Sequence, residues 1–539
     1  MYTPTVSNRR EGAYVLWAGL ALGIVTCLPF LLGAILSTPQ LEFSGFVIGF
    51  EDGNSYLATT LQGAHGAWTY HLAFTPEPHS GGLFFLTYLL LGKVAAFTGA
   101  PVIWLFHLTR LIATPLALYA FYCLAAYFSP HSTVRRLATA LFAVGGGLGW
   151  LWVLLGQSTA LGWMPVDLWV PDASFFLSAL TYPHLILGQG LLFAYVLWTL
   201  RFLDQGLGRY GLGAALAGLG LSLIHPYTLP VIMVPFGLFV LWRGCHDRPA
   251  FWRLVIRLTA TLLPSLPYLA YAAIFFRANP AYAAWQAQNL LYSPATHLYL
   301  LGFGLPLLFA AVGLLLGRRP DVLPAPAFLC LWALTVPPLL YLPTPLQRRF
   351  LDGYQAPVAI LGGAGLYLIV ERLRCTRWRL GLIAGLVTVI ALTNVLLWFG
   401  SVSTIAARIE PVFRPGWEMS AARWFQSDHT SPVVLAGYDT GNLLPAYALV
   451  RSFTGHGAET VSAADKTAQA EQFFRPDTSD AWRAQLLSRY SVGYVYYGPR
   501  EKLSGTIDLK GLPFLTPVYD NGQVQIFRVD PSALRHVTD

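Results

Sequence analysis

The chain has 539 residues, of which 55% are hydrophobic, 14% aromatic and only 11% charged, with a formal net charge of +8. Soluble domains carry nearer a quarter charged residues, so this composition excludes an ordinary soluble enzyme and describes a polytopic membrane protein. The positive balance does not point to nucleic acid, because the arginines fall in short clusters between apolar runs, the pattern that orients helices in a bilayer.

The first apolar run, 13–36, follows Arg9 and Arg10 and lacks an A-x-A-like cleavage site, so it reads as a retained span rather than a signal peptide. Next comes the stretch 49–58, GFEDGNSYLA, where Glu51 and Asp52 stand side by side in a chain that otherwise uses acids sparingly. The following Gly53-Asn54 also suits a turn in a solvated loop. Residues 81–98 carry Lys93 and barely reach the roughly 20 residues of a span, so they read as a helix lying along the membrane surface. Ten further runs follow, at 102–128, 137–155, 182–200, 212–225, 227–242, 258–276, 298–317, 325–342, 355–371 and 380–400. They bring the predicted count to eleven spans. Gly145-Gly146-Gly147 reads as close helix packing rather than a phosphate loop. Between Arg209 and Arg243 there is room for only about 24 Å per crossing at 1.5 Å per residue, short of a roughly 30 Å core. The turn Ile224-His225-Pro226-Tyr227 is therefore expected below the outer surface, where protein or water must line it.

The basic residues set the orientation. With eleven spans, one side holds Arg9, Arg10, Arg135, Arg136, Arg201, Arg209, Arg243, Arg248, Arg253, Arg257, Arg318, Arg319, Arg372, Arg374, Arg377 and Arg379. The loops of the other side keep only Lys93, Arg277, Arg348 and Arg349. The positive-inside rule makes the N-terminus cytoplasmic and residues 401–539 extracytoplasmic. That last segment returns to a soluble composition. It has strand-like runs at 433–436, 494–497 and 523–529, helical patterns at 416–427, 463–475 and 479–490, and a hairpin signal at Asp520-Asn521-Gly522. The fold class is thus mostly α, a membrane helix bundle over 1–400 with a first outer loop at 37–101, followed by a soluble α/β domain.

Polar residues of the outward loops share one face. The first loop carries Glu42, Glu51, Asp52, His65, His71, Glu77 and His79 with Tyr56, Trp68 and Tyr70; the second carries Asp167 and Asp172 with Trp163 and Trp169. Tyr182-Pro183-His184, His225 and Gln347-Arg348-Arg349-Phe350 lie at span ends on the same side. Acids among aromatic rings suit a sugar, whose C–H faces stack on rings while its hydroxyls bond to carboxylates. Each residue has a plainer alternative: Asp52 as a turn former, Arg348 and Arg349 as interfacial anchors, His184 and His225 as structural caps beside prolines. Arg110, near the outer start of its span, is costly if it faces lipid and is expected to point inward, toward a carboxylate or phosphate.

The frame Asp52-x-x-x-Tyr56-x-Ala58 in the first outward loop, Pro76-Glu77-Pro78-His79 ahead of a surface helix, a second acidic loop, eleven spans and an outward α/β tail together resemble the GT-C superfamily. That group includes protein O-mannosyltransferases, aminoarabinose transferases and the catalytic subunits of oligosaccharyltransferases. The resemblance covers 10–400 by architecture and 49–80, 165–184 and 347–350 by motif. Segments 454–460 and 494–501 also look like the soluble tails of bacterial members. The resemblance implies a glycosyltransferase that takes a sugar from a polyprenyl-phosphate carrier and passes it, with inversion, to an acceptor at the outer face. The implied catalytic base is Asp52, with Glu51 as rival; Arg348 and Arg349 would stabilise the leaving phosphate, and Arg110, His79, Asp167, Asp172, His184, His225 and Tyr56 would line the substrate. Oligosaccharyltransferase members hold a divalent metal, for which Asp167 and Asp172 with Asp52 would be the candidate ligands here. The two lack D-x-D spacing and many relatives work without metal, so no cofactor is assigned. No H-P-P follows the first loop, a departure that leaves the acceptor class open. The rival class is a non-enzymatic membrane protein, a lipid-linked transporter or envelope-assembly scaffold. A transporter predicts paired interrupted spans in two halves, and only 212–242 is interrupted.

The topology is testable by labelling single cysteines in intact cells, after replacement of the five native ones. Arg253→Cys and Arg377→Cys are expected to resist a membrane-impermeant thiol reagent, while cysteines introduced into 401–539 react. Labelling of Arg377→Cys from outside would overturn the orientation.

Overall fold

The computed structural model describes residues 9–316, 319–428 and 430–538; Arg318 of the basic set lies outside them. Eight helices among the described residues are long and apolar enough to cross a membrane: Arg9–Leu36, Val102–Phe128, Pro183–Gln205, Thr228–His246, Arg248–Ala278, Thr296–Leu315, Gln347–Val370 and Thr376–Ala407. The other three expected spans are shorter. Run 137–155 becomes Ser132–Val144 and Gly149–Leu154. Between them the backbone leaves the helix, and the amides of Gly146 and Leu148 bond instead to the carbonyls of Ile390 and Leu301, at 3.0 and 2.8 Å. A Cβ on Gly147 would stand 2.2 Å from the Leu301 carbonyl, so the glycine run does permit close backbone approach. Runs 212–225 and 325–342 give Gly208–Ile224, which ends at the His225 turn, and Ala327–Leu339, which carries Pro337 and Pro338 in its last turn.

Contacts divide the chain into two compact units. One comprises Met1–Pro29, Phe106–Tyr271 and Leu291–Ser403; the other comprises Phe30–Leu105, Ala272–Leu290 and Thr404–Asp539.

Polar groups of the first unit sort to two opposite ends. At one end Glu11 accepts from Arg135 at 2.6 Å and from Arg136 at 3.1 Å, Ser129 donates to the carbonyl of Val322, and Arg319 pairs with Asp321 and Glu371. Tyr127 and Arg243 meet on Asp204, and Arg257 donates to the carbonyl of Leu203. This is the end of the basic loops. Helices Pro183–Gln205, Thr228–His246 and Gln355–Val370 all finish there. Their first residues lie at the other end, where His225, Thr228 and Asp352 meet. Nineteen residues of Thr228–His246 separate the two ends by about 28 Å.

In the second unit, short strands β1 (Leu41–Phe43) and β2 (Phe413–Pro415) pair antiparallel and tie the first loop to the C-terminal segment. Strands β3 (Val433–Leu435), β4 (Arg451–Ser452), β5 (Val492–Tyr497), β6 (Leu515–Asp520) and β7 (Gln525–Val529) form a five-stranded sheet in the order β4-β3-β5-β7-β6. The first three are mutually parallel; β7 runs antiparallel to β5 and β6. Alternate residues feed two cores, Val495 and Phe527 on one face, Tyr496 and Ile526 on the other, as the two-residue period of a strand requires. Helices Gly416–Trp424, Ala463–Phe473 and Asp480–Arg489 fall where the sequence predicts them. Helix Tyr438–Tyr447 is unforeseen, since Gly441 and Pro445 read as breakers. So is β6, whose Pro517 is tolerated because the strand lies at the sheet edge.

Helix Leu86–Thr98, 13 residues long, packs Tyr88, Leu89 and Gly92 inward and exposes Leu90, Val94 and Phe97, the last at 92%. Its partner is helix Phe50–Ala64. A Cβ on Gly92 would stand 2.0 Å from the Thr60 carbonyl, and one on Gly63 2.2 Å from that of Leu89, so this crossing needs both glycines.

Candidate active site

In the first unit, Asp352 organises a buried group. Its Oδ2 faces the Nδ1 of His225 at 2.9 Å and accepts from the Thr228 hydroxyl at 2.7 Å. His225 is 1% exposed, so the turn that carries it is interior, as the short pair of helices predicts. The His184 ring stands edge-on to His225 with centroids 5.4 Å apart, and Tyr227 stacks on the other side. Arg349 reaches Asp172 at 3.3 Å and lies over the Tyr227 ring, while Arg348 lies over Trp169 at 4.4 Å. Burial raises the Asp172 carboxyl against the opposing pull of Arg349. Two arginines, two carboxylates and two histidines thus converge where the sequence supplies three separate loops. A guanidinium is permanently charged and planar, suited to a phosphate oxygen.

Other candidates of this unit have structural partners. Asp167 is buried and accepts from the amides of Gly147 and Gly149 at 2.8 and 3.2 Å, so it holds the break between the two helix pieces. Arg110 points inward as expected, but onto backbone: it donates to the carbonyls of Thr26 and Ala179, and to His107. These bonds pin three helices together and offset the cost of a charge with no exposed surface.

In the second unit, Glu51 and Asp52 occupy the first turn of helix Phe50–Ala64, not a turn in a solvated loop; Gly53 and Asn54 are helical and buried. Two acids there are favoured by the helix dipole. Glu51 Oε1 accepts from the Tyr438 hydroxyl at 2.8 Å and from the Gly457 amide. Asp52, its side chain 54% exposed, faces the Nε2 of His456 at 3.5 Å. His456 also lies 3.5 Å from Glu51 and 3.8 Å from Glu459. Glu459 in turn accepts from Ser55 at 2.5 Å and from Tyr70. Burial would lower the His456 pKa, but Glu459, Asp52 and Glu51 outweigh it and push it up to about 9. Tyr56 stacks on Tyr88 at 4.5 Å inside the helix crossing, and His79 is engaged at both nitrogens, by the Leu72 amide and the Glu77 carbonyl.

Sequence reasoning missed Asp352, Thr228, Tyr438, His456 and Glu459. Asp352 had a signal, an acid three residues past the arginine pair. His456 had none, since about 400 positions separate it from Asp52. Among the described residues no three His, Cys, Asp or Glu side chains lie close enough to hold a metal ion.

No family model and no curated protein matches the sequence. Solved structures do match. The arabinofuranosyltransferase AftD from Mycobacteria superposes over 98% of this chain and 42% of its own, at 13% identity and a TM-score of 0.60. ArnT from Cupriavidus metallidurans, in the apo state, superposes over 98% of this chain and 99% of its own, at 13% identity and a TM-score of 0.53. The oligosaccharyltransferase AglB from Archaeoglobus fulgidus, in complex with an inhibitory peptide and a dolichol-phosphate, superposes over 88% and 69%, at 13% and 0.52. The chain has the fold of the GT-C membrane glycosyltransferases, a polytopic helix bundle with a C-terminal β-containing region.

The raised His456 pKa gives a pH prediction. A folded-state value above the ordinary 6.5 means that the charged ring stabilises the fold fully below about pH 6.5, and that this contribution is lost as pH rises through about 9. The melting temperature of the purified chain is expected to fall over that window, and His456→Gln to flatten the fall. Parallel curves for the two proteins would contradict the assignment.

Proposed function

We propose that the chain is a membrane glycosyltransferase that moves a sugar from a polyprenyl-phosphate carrier to an acceptor hydroxyl at the extracytoplasmic face, with inversion. The observation that carries this reading is the buried group around Arg349, Asp172, His225 and Asp352, at the bundle end away from the basic loops. A bundle has no packing reason to gather these charges. A lipid phosphate gives one, because its leaving oxygen gains negative charge as the anomeric bond breaks. The fold supports the same donor class: ArnT from Cupriavidus metallidurans is known bound to undecaprenyl phosphate, and AglB with a dolichol-phosphate.

In the proposed step the acceptor oxygen forms a bond to the anomeric carbon on the face opposite the phosphate. The bond from that carbon to the phosphate oxygen breaks, and its electron pair leaves with the phosphate, where Arg349 and Arg348 stabilise it. The hydroxyl proton needs a base, the role that the resemblance assigns to Asp52 of the second unit. Asp172 holds the Arg349 guanidinium in place. Asp52 is favoured over Glu51 as base because it is the more exposed, while Glu51 already accepts from a hydroxyl and an amide.

Lipid-linked sugars and envelope glycans should differ between cells with and without the chain. Complementation with Asp52→Asn should leave transfer lower by about 10²-fold or more, the scale of general base catalysis. Glu51→Gln should cost much less. Unchanged lipid-sugar and glycan profiles in cells lacking the chain, with its expression verified beforehand, would favour the scaffold or transporter class instead.

A further inference from the structure

We propose that His456, contributed by the C-terminal α/β region, is a positioning residue for Asp52, so that the region takes part in transfer rather than merely flanking it; this rests on the reading of Asp52 as base. The ring is 5% exposed. Its Nδ1 lies 3.2 Å from the amides of Ala458 and Glu459, so the neutral ring keeps its proton on Nε2; protonation at Nδ1 gives up those two contacts for Glu51, 3.5 Å away, and leaves the Nε2–H in place. Buried Nε2 makes no hydrogen bond, and it is aimed at Asp52 Oδ1, 3.5 Å away. Glu459 is the farther carboxylate, at 3.8 Å, and its two oxygens accept from the hydroxyls of Ser55 and Tyr70. The remaining neighbours are Glu51 on the Nδ1 side, itself bonded to Tyr438, and the ring of Phe74 at 5.4 Å. A buried N–H just beyond bonding distance of a half-exposed carboxylate is closed by a small rotation of Asp52. The bond then fixes the orientation of the carboxylate that takes the acceptor proton.

The sheet topology explains why this region supplies the residue. Parallel strands β4, β3 and β5 place their carboxyl ends together, with β3 between two strands that follow it in the chain, the switch point where open α/β sheets take ligands. Here that crevice is filled from within: Glu501 accepts from the amides of Gly437 and Gly498 at 3.0 and 2.9 Å. The segments leaving β3 and β4 instead reach helix Phe50–Ala64. Tyr438 bonds to Glu51, Asn442 bonds to Asn54 at 2.7 Å, and His456 faces Asp52. The usual ligand edge of the sheet is thereby given over to the helix that carries the base.

The two properties of His456 toward Asp52, a fixed donor and a positive charge, predict separable effects. Membranes carrying the full chain would be assayed with the total polyprenyl lipid extract of cells that lack it, following consumption of lipid-linked sugar from low to high pH. His456→Ala is expected to lower the maximal rate about tenfold or more, and His456→Gln, which keeps an N–H donor, to recover most of it. Both should move the acid limb of the profile up by about one pH unit, because a carboxylate that loses a cationic neighbour binds its proton more tightly. A merely structural role would lower the amount of folded chain without moving that limb. If wild-type membranes consume the lipid-linked sugar and His456→Gln shows both the wild-type limb and no better rate than Ala, the positioning role is overturned while the transferase reading stands. Should wild-type membranes consume none, the transferase reading falls and this inference falls with it. If His456→Ala fails to accumulate, His456→Gln alone decides by its limb.

Discussion

A charge inside an apolar bundle has to be paired or hydrogen-bonded, and that requirement arranges the first unit. Glu11 can lie buried at the start of a spanning helix because Arg135 and Tyr122 reach it. Arg110 can lie fully buried because two carbonyls and a histidine take its donors. These pairings follow from burial alone. The group around Asp352 and Arg349 differs in extent, since it gathers several ionisable side chains from three separate loops at one place. Desolvation makes such a group costly, and a substrate charge is the simplest reason to keep it.

The second unit obeys the same rule with a different outcome. Its acids stand at a helix start, where the dipole favours them, and the C-terminal region meets them with a hydroxyl, an amide and an imidazole. Two adjacent carboxylates receive unequal treatment. Glu51 is bound into the contact between helix Phe50–Ala64 and the loop at 457, whereas the Asp52 side chain is about half exposed and faces the edge of His456. Chemistry that consumes a carboxylate's basicity needs the second arrangement.

Much of this was legible in the sequence, and the boundary is physical. Long apolar runs give helices because nothing else satisfies the backbone in lipid, so the bundle, the short helix at Leu86–Thr98 and the buried turn at His225 follow from length and charge. The helices of 401–539 follow from their periodicity. The Gly145-Gly146-Gly147 run reads as packing inside one span, and the break that it makes is invisible in the sequence because its amides are held by Asp167, on a loop twenty residues on. Helix Tyr438–Tyr447 and strand β6 were hidden by glycine and proline that tertiary contacts override. Arg349, Asp172 and His225 could be nominated because residue type and membrane side both pointed to them. His456 could not, for its meaning comes only from the carboxylates folded against it. The shared fold adds architecture but not chemistry, since unrelated activities occupy the same scaffold.

The Arg349 end of the bundle is proposed to take a lipid phosphate. Equilibrium binding of undecaprenyl phosphate to the detergent-purified full chain, with undecaprenol as the control lacking the phosphate, tests it most directly. The phosphate form is expected to bind, undecaprenol to leave it in place, and Arg349→Ala to weaken binding at least about tenfold while the chain remains folded. Equal binding of the two lipids, or undiminished binding by Arg349→Ala, would contradict it.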